Sequence, residues 1–118
     1  MRKSFLLMPL LMALSLDGEA IARPFVYVAS FAHGGAAKEC LDSGEMALKK
    51  FKFTEKTWQD YNPKENAKVG RVYGTHAESS TTAVILCDQK DGVTSLAVGG
   101  LDQQVTWDLY GDLFKAEW

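Results

Sequence analysis

The sequence predicts an α+β fold in which two helices lie on one face of a four-stranded, mostly antiparallel sheet, in the order strand, helix, three strands, helix. Two observations lead to this fold class. Strand-like segments at 24–31, 69–75, 80–88 and 93–98 contrast with residues 36–51, where apolar side chains recur at three- and four-residue steps. An Asp91-Gly92 pair between the last two strand-like segments is typical of a hairpin turn.

The first predicted strand and helix each carry an apolar face. One face of the strand holds Phe25, Tyr27, Ala29 and Phe31, and the other holds Val26, Val28 and Ser30. His33-Gly34-Gly35 ends the strand. The helix stripe consists of Ala37, Cys40, Leu41, Gly44, Ala47, Leu48 and Phe51. A glycine inside a helix costs about 1 kcal/mol, so we expect Gly44 to lie where a strand backbone approaches closely.

The middle of the chain gives a weaker pattern. Residues 52–67 are interpreted as an ordered loop, with a short strand as the alternative for its first residues, and Asn62-Pro63 marks a turn. Residues 69–75 predict a strand whose glycines, Gly70 and Gly74, indicate a bulge or a close backbone contact. The β-branched run at 81–85 predicts the strongest strand, and residues 93–98 return from the hairpin to end at Gly99-Gly100. Asp102 is expected to cap a final helix.

Residues 1–22 have the three parts of a secretory signal peptide: a basic start, an apolar stretch at 5–16, and small residues at Ala20 and Ala22. Cleavage after Ala20 is an alternative to cleavage after Ala22. A retained membrane helix is disfavoured, because such a helix needs about 20 apolar residues and Pro9 interrupts this stretch. We therefore expect a single soluble domain of residues 23–118 without a membrane anchor, either periplasmic or secreted. The lack of an Asn-x-Ser/Thr site weakly favours bacterial export.

The formal net charge of −2 disfavours nucleic acid as a partner, because phosphate recognition needs a concentrated positive field. Basic residues are enriched between Lys49 and Arg71, and acidic residues near the C-terminus. A solvated surface explains this distribution more simply than an anion-binding patch.

The two cysteines, Cys40 and Cys87, predict a disulfide bond in an oxidising compartment. They lie far apart in sequence, whereas redox-active pairs usually form a Cys-x-x-Cys unit. Cys40 lies on the inward stripe of the first helix, and Cys87 shares a strand face with Ala83 and Ile85. The bond is therefore expected to tie the helix to the sheet and to contribute about 4 kcal/mol.

Aromatic residues supply the candidate binding sites. In the last helix Val105, Leu109, Leu113 and Ala116 form one apolar sector, and a second sector holds Trp107, Tyr110, Phe114 and Trp118. The second sector either packs against the first helix or the 52–67 loop, or forms a surface for a partner or a second copy. The outer sheet face, with Val84 and Leu86, is also apolar and is expected to be covered by the loop or by another chain. A further candidate is a ligand-binding set of Phe53, Trp58 and Tyr61.

Motifs for catalysis, metals or cofactors are not found. His33 and His76 belong to no ligand set or nucleophile motif, and Glu39, Asp42 and Glu45 read as the exposed face of a helix. We therefore expect no catalytic residue, no metal and no cofactor. Three functions remain in order of preference: an exported protein-interaction domain, which includes inhibitor-like and immunity-like proteins; a carrier of a small apolar ligand; and a histidine-dependent enzyme. The chain resembles no family closely enough to decide between them.

Overall fold

The computed structural model describes residues 23–116 and residue 118. The predicted signal peptide lies outside these residues. The elements are β1 (Phe25–Ala32), α1 (Ala37–Lys50), β2 (Glu55–Asp60), β3 (Val69–Thr75), β4 (Thr82–Asp88), β5 (Val93–Gly100) and α2 (Gln103–Lys115). The strands form one antiparallel sheet in the order β1-β5-β4-β3-β2. The α+β class is confirmed, but the sheet has five strands rather than four.

The fifth strand is β2, which lies within the segment interpreted as a loop. It pairs with β3 along one edge of the sheet, and its register shifts between Glu55 and Trp58. Lys56 in this irregular stretch has a φ of 53°. The loop interpretation of residues 52–67 was wrong for this part, and the alternative of a short strand near its start is closer to the structure. The sequence did not decide between them because an edge strand of mixed charged and polar residues carries little apolar alternation.

The two helices cover the same face of the sheet. On α1, the α-carbon of Gly44 lies so close to the sheet that a methyl group there would meet the side chains of Val72 and Ile85 at 3.2 to 3.4 Å. The expected close approach of strand backbone was wrong, because side chains of β3 and β4 make these contacts. Leu41 and Leu48 of the same helix are fully buried. This packing anchors α1 over β3 and β4.

Helix α2 begins at its predicted cap and lies over β5 and β1. A side-chain oxygen of Asp102 accepts a hydrogen bond from the Val105 amide at 3.0 Å. Strand β5 extends two residues beyond its predicted end at Val98 and finishes at Gly100, which pairs with Phe25 of β1. A methyl group on Gly100 would lie 2.5 Å from the Thr106 hydroxyl oxygen, so glycine allows α2 to approach the sheet.

The core lies between the helices and the sheet, and the disulfide bond crosses it. Cys40 on α1 and Cys87 on β4 are bonded, with 6.1 Å between their α-carbons, and both are buried. The predicted bond between the first helix and the sheet is therefore confirmed. Leu96 and Leu113 belong to the same buried cluster, which joins α2 to the core around α1. Within the described residues, no helix is long and apolar enough to span a membrane.

Candidate functional site

The outer face of the sheet carries a continuous apolar row that crosses all five strands. Strand register aligns five residues in this row: Val28, Ala97, Val84, Tyr73 and Trp58. The aromatic rings at the β2 end are stacked, with 4.9 Å between their centroids. We call this set the outer row. Its members come from separate parts of the chain, and only the strand pairing brings them together.

Polar residues border the outer row on both sides, although Leu86 interrupts one of these bordering rows and Val26 ends the other. Along one side the Ser30 and Ser95 hydroxyls lie 3.0 Å apart, and Arg71 donates to Asp60 at 3.3 Å. Along the other side the hydroxyl oxygens of Thr75 and Thr82 lie 3.2 Å apart, next to exposed Glu55 on β2. An apolar centre with a polar rim is the usual organisation of a protein-binding surface.

The outer row remains accessible to solvent in the part of the chain that the structure describes. Val28 is 69% exposed and Trp58 is 52% exposed, and both helices lie on the opposite face. Val26, next to the row on β1, is 60% exposed. Contiguous apolar surface of this kind is uncommon on a soluble monomer and marks interaction sites.

The structure does not bring the predicted ligand-binding set together. Phe53 is fully buried on the helix side of the sheet, where its ring contacts His76 edge to face. Trp58 lies on the outer face. Tyr61 is half-buried beside Gly70 and Leu41, and its hydroxyl donates to the Ala67 carbonyl at 2.9 Å. These three side chains therefore line no common pocket, and of the three only Trp58 helps to cover the outer face.

The aromatic residues in the second sector of α2 are partly packed against the protein and partly exposed to solvent. It rests on β1 rather than on the first helix or the 52–67 segment. The ring centroid of Tyr27 lies 5.0 Å from that of Trp107 and 5.7 Å from that of Tyr110. The ring centroids of Phe31 and Trp118 are 5.3 Å apart. Trp107 nevertheless stays 51% exposed, as does Phe114. Sequence reasoning identified this sector but not its support, because β1 is 75 or more residues away along the chain.

A groove of about 650 Å³ separates the two helices on the other side of the protein. Its apolar lining includes Met46, Phe51 and Trp118, and Lys50 and Lys115 also line it. Asp112 lines the groove as well. This groove, rather than the Phe53 set, is the described cavity best suited to a small apolar ligand.

The histidines occupy structural positions. His76 is buried, and its Nδ1 lies 3.0 Å from the Ser79 hydroxyl in the turn before β4. Nδ1 of His33 lies 3.2 Å from the Thr94 hydroxyl at the end of β1. The two rings are therefore held by different turns and hydroxyls. Neither arrangement pairs a histidine with a carboxylate and a nucleophile, as general acid–base catalysis by a triad would require.

Two acidic residues on α1, Asp42 and Glu45, take part in a polar network with β2. The Gln59 amide donates to Asp42 and to Glu45, each at 2.9 Å, and accepts from Lys38 at 3.0 Å. Hydrogen bonds from Gln59 and Lys38 lower the pKa of Asp42, and those from Lys49 and Gln59 lower the pKa of Glu45. No group of three histidine, cysteine or acidic side chains arranged to hold a metal occurs among the residues described. The network explains these carboxylates as links between a helix and an edge strand.

Comparison of the chain with protein-family models, with curated proteins and with solved structures gives no match.

Proposed function

We propose that this chain is a small exported protein-interaction domain without catalytic function, and that it binds a partner protein through the outer row. The observation that carries the proposal is the alignment of five apolar residues across the whole sheet, on the face that neither helix covers. Inhibitor-like and immunity-like proteins belong to this class. Export is supported by the signal-like sequence of residues 1–22 and is compatible with the buried disulfide bond.

The shape of the surface favours a protein over a small molecule. Small ligands are usually enclosed by concave sites, whereas the outer row follows an open sheet. Trp58 and Tyr73 stack at one end of it and offer a large aromatic area. About half of the Trp58 surface is exposed. Exposed tryptophan beside rigid strands is typical of the residues that dominate binding energy at protein interfaces.

The test begins with capture of a partner from the exported fraction, followed by binding measurements with surface variants. Trp58→Ala should weaken binding by roughly thirtyfold, which corresponds to about 2 kcal/mol for an interface anchor. Met46→Ala is the matched control, because Met46 is a large apolar residue, 72% exposed, on the opposite side of the protein. Thermal unfolding of both variants shows whether a loss of binding is caused by a loss of stability.

Two results would contradict the proposal. One is unchanged partner binding by Trp58→Ala together with loss of binding by Met46→Ala, which would move the site to the helix side. The other is a lipid or other small apolar molecule, released from the purified protein and dependent on Met46, in place of a protein partner. That result would support the carrier function and assign it to the interhelical groove.

A further inference from the structure

We propose that a second copy of this chain pairs antiparallel with the free edge of β1, so that two sheets join into one of ten strands. This inference concerns the edge of the sheet at β1, whereas the proposed partner site lies on the outer face, and Val28 belongs to both. It rests on three features of β1: its edge, the direction of its backbone groups, and the aromatic residues beside it.

The two edges of the sheet differ in how they are protected. Strand β2 carries Glu55, Lys56 and Asp60 and is distorted by a register shift, and both features discourage pairing with another chain. Strand β1 is eight residues long, has no charged residue and pairs with β5 in unbroken register. No strand among the described residues pairs with its other side. A long, regular, uncharged edge is the kind that pairs with a further strand.

The register shows which backbone groups of β1 point outwards. The amide of His33, just beyond the strand, donates to the Gly92 carbonyl at 2.9 Å, so this residue turns its polar groups towards β5. Backbone direction alternates along an antiparallel strand. The amides and carbonyls of Val26, Val28, Ser30 and Ala32 therefore face the free edge. A second β1 offers the same groups in reverse order and can satisfy them.

Antiparallel pairing also brings matching side chains together. The two-fold axis stands perpendicular to the sheet, so the helix side of one copy adjoins the helix side of the other. Helix α2 runs alongside β1 in the same direction, since Trp107 lies over Tyr27 and Phe114 over Phe31. In the pair, the start of one α2 is level with the end of the other.

The charges beside these aromatic residues do not select the pairing. Asp108, Asp112 and Lys115 line the same depression of α2 as Trp107 and Phe114. In an antiparallel pair of helices Asp108 approaches Lys115 of the second copy, whereas Asp112, near the middle of α2, approaches its own equivalent. The attraction of the first pair is therefore offset by the repulsion of the second.

The exposed apolar area favours a second copy over an isolated peptide strand. Trp107 and Phe114 each leave about half of their surface in water, roughly 100 Å² apiece. A single added strand would satisfy the β1 backbone but leave most of this area uncovered, whereas a second α2 covers it. The two copies together offer about 400 Å² of this aromatic surface, so the junction is smaller than the specific interfaces of about 1,200 Å² in total. We therefore expect a reversible dimer with a dissociation constant in the micromolar range.

Sedimentation equilibrium of the purified protein tests this inference, once its N-terminal residue has been determined. The edge variant is Ser30→Pro, because proline removes an outward amide without removing a hydrogen bond to β5. Ser30→Ala is its matched control, since it loses the same hydroxyl but keeps the amide. We expect Ser30→Pro to weaken dimerisation at least tenfold and Ser30→Ala to leave it unchanged.

A second variant covers the case in which Ser30→Pro does not fold. Trp107→Ala should weaken dimerisation roughly thirtyfold, with a smaller effect on thermal unfolding than Leu109→Ala, which opens the core. Trp58→Ala should leave the dimer intact, so that this inference and the proposed partner site can fail separately.

A monomer at every concentration would overturn the inference. So would outward β1 amides that resist hydrogen exchange equally in dilute and concentrated protein, because their partner would then belong to the same chain.

Discussion

Removal of the disulfide bond tests the main covalent feature of the fold. The bond joins residues 47 positions apart, and in the chain-entropy model a loop of this length contributes about 4 kcal/mol at 25 °C. Cys40→Ala/Cys87→Ala also deletes two buried sulfur atoms and should cost about 1 kcal/mol more in packing. The free energy of unfolding of a small domain is only about 5 to 15 kcal/mol, so the double variant should be only marginally stable.

Urea unfolding of three samples separates these contributions: the oxidised protein, the reduced protein, and the double variant. Reduction keeps the sulfur atoms and removes only the link, so the reduced protein should lie between the other two. The midpoint of thermal unfolding should fall by at least about 15 °C on reduction. Thiols that react with a labelling reagent in oxidised, folded protein would refute the reasoning. A loss of less than about 1 kcal/mol on reduction would refute the assigned energy.

Three further predictions concern α2, the α1–β2 network and the histidines. Gly111→Ala should raise the free energy of unfolding by about 0.5 to 1 kcal/mol, because a methyl group there meets no atom within 4 Å and alanine favours a helix. Gln59→Ala should flatten the acid side of the stability–pH profile. Because Gln59 lowers the folded pKa of Asp42, that stabilisation is present above the ordinary carboxyl pKa and is lost as pH falls through the lowered value. His33→Ala and His76→Ala should leave partner binding unchanged in variants that remain folded.

Each of these predictions has its own control. Gly100→Ala makes the same chemical change as Gly111→Ala, yet it should destabilise by about 2 kcal/mol, because its methyl group would overlap the Thr106 hydroxyl. Equal effects of the two glycine changes would contradict the packing argument. An unaltered acid limb in Gln59→Ala, followed by urea unfolding from about pH 5 downwards, would show that the network does not stabilise the carboxylates. Loss of activity in a folded histidine variant would revive the enzyme hypothesis.

Local sequence determined most of the elements of this protein. The three- and four-residue steps of α1, the β-branched residues of β4 and the cap at Asp102 act over a few neighbouring positions, and each element is present in the structure. The cysteine pairing could also be predicted from the sequence, because the chain has only two cysteines. Strand β2 was missed because an edge strand is stabilised by its pairing with β3 rather than by an apolar pattern of its own.

The candidate surfaces were decided by strand order and register, which are properties of the whole sheet. The sequence placed Val84 on the outer face but left open which face of β1 joins it, and only pairing through β5 aligns Val28 and Val84 with Trp58 at the other edge. The same pairing makes β1 an edge strand and sets Trp107 beside it. Alternation along a strand fixes which face a side chain joins, whereas its neighbours on that face depend on contacts between residues far apart in the chain.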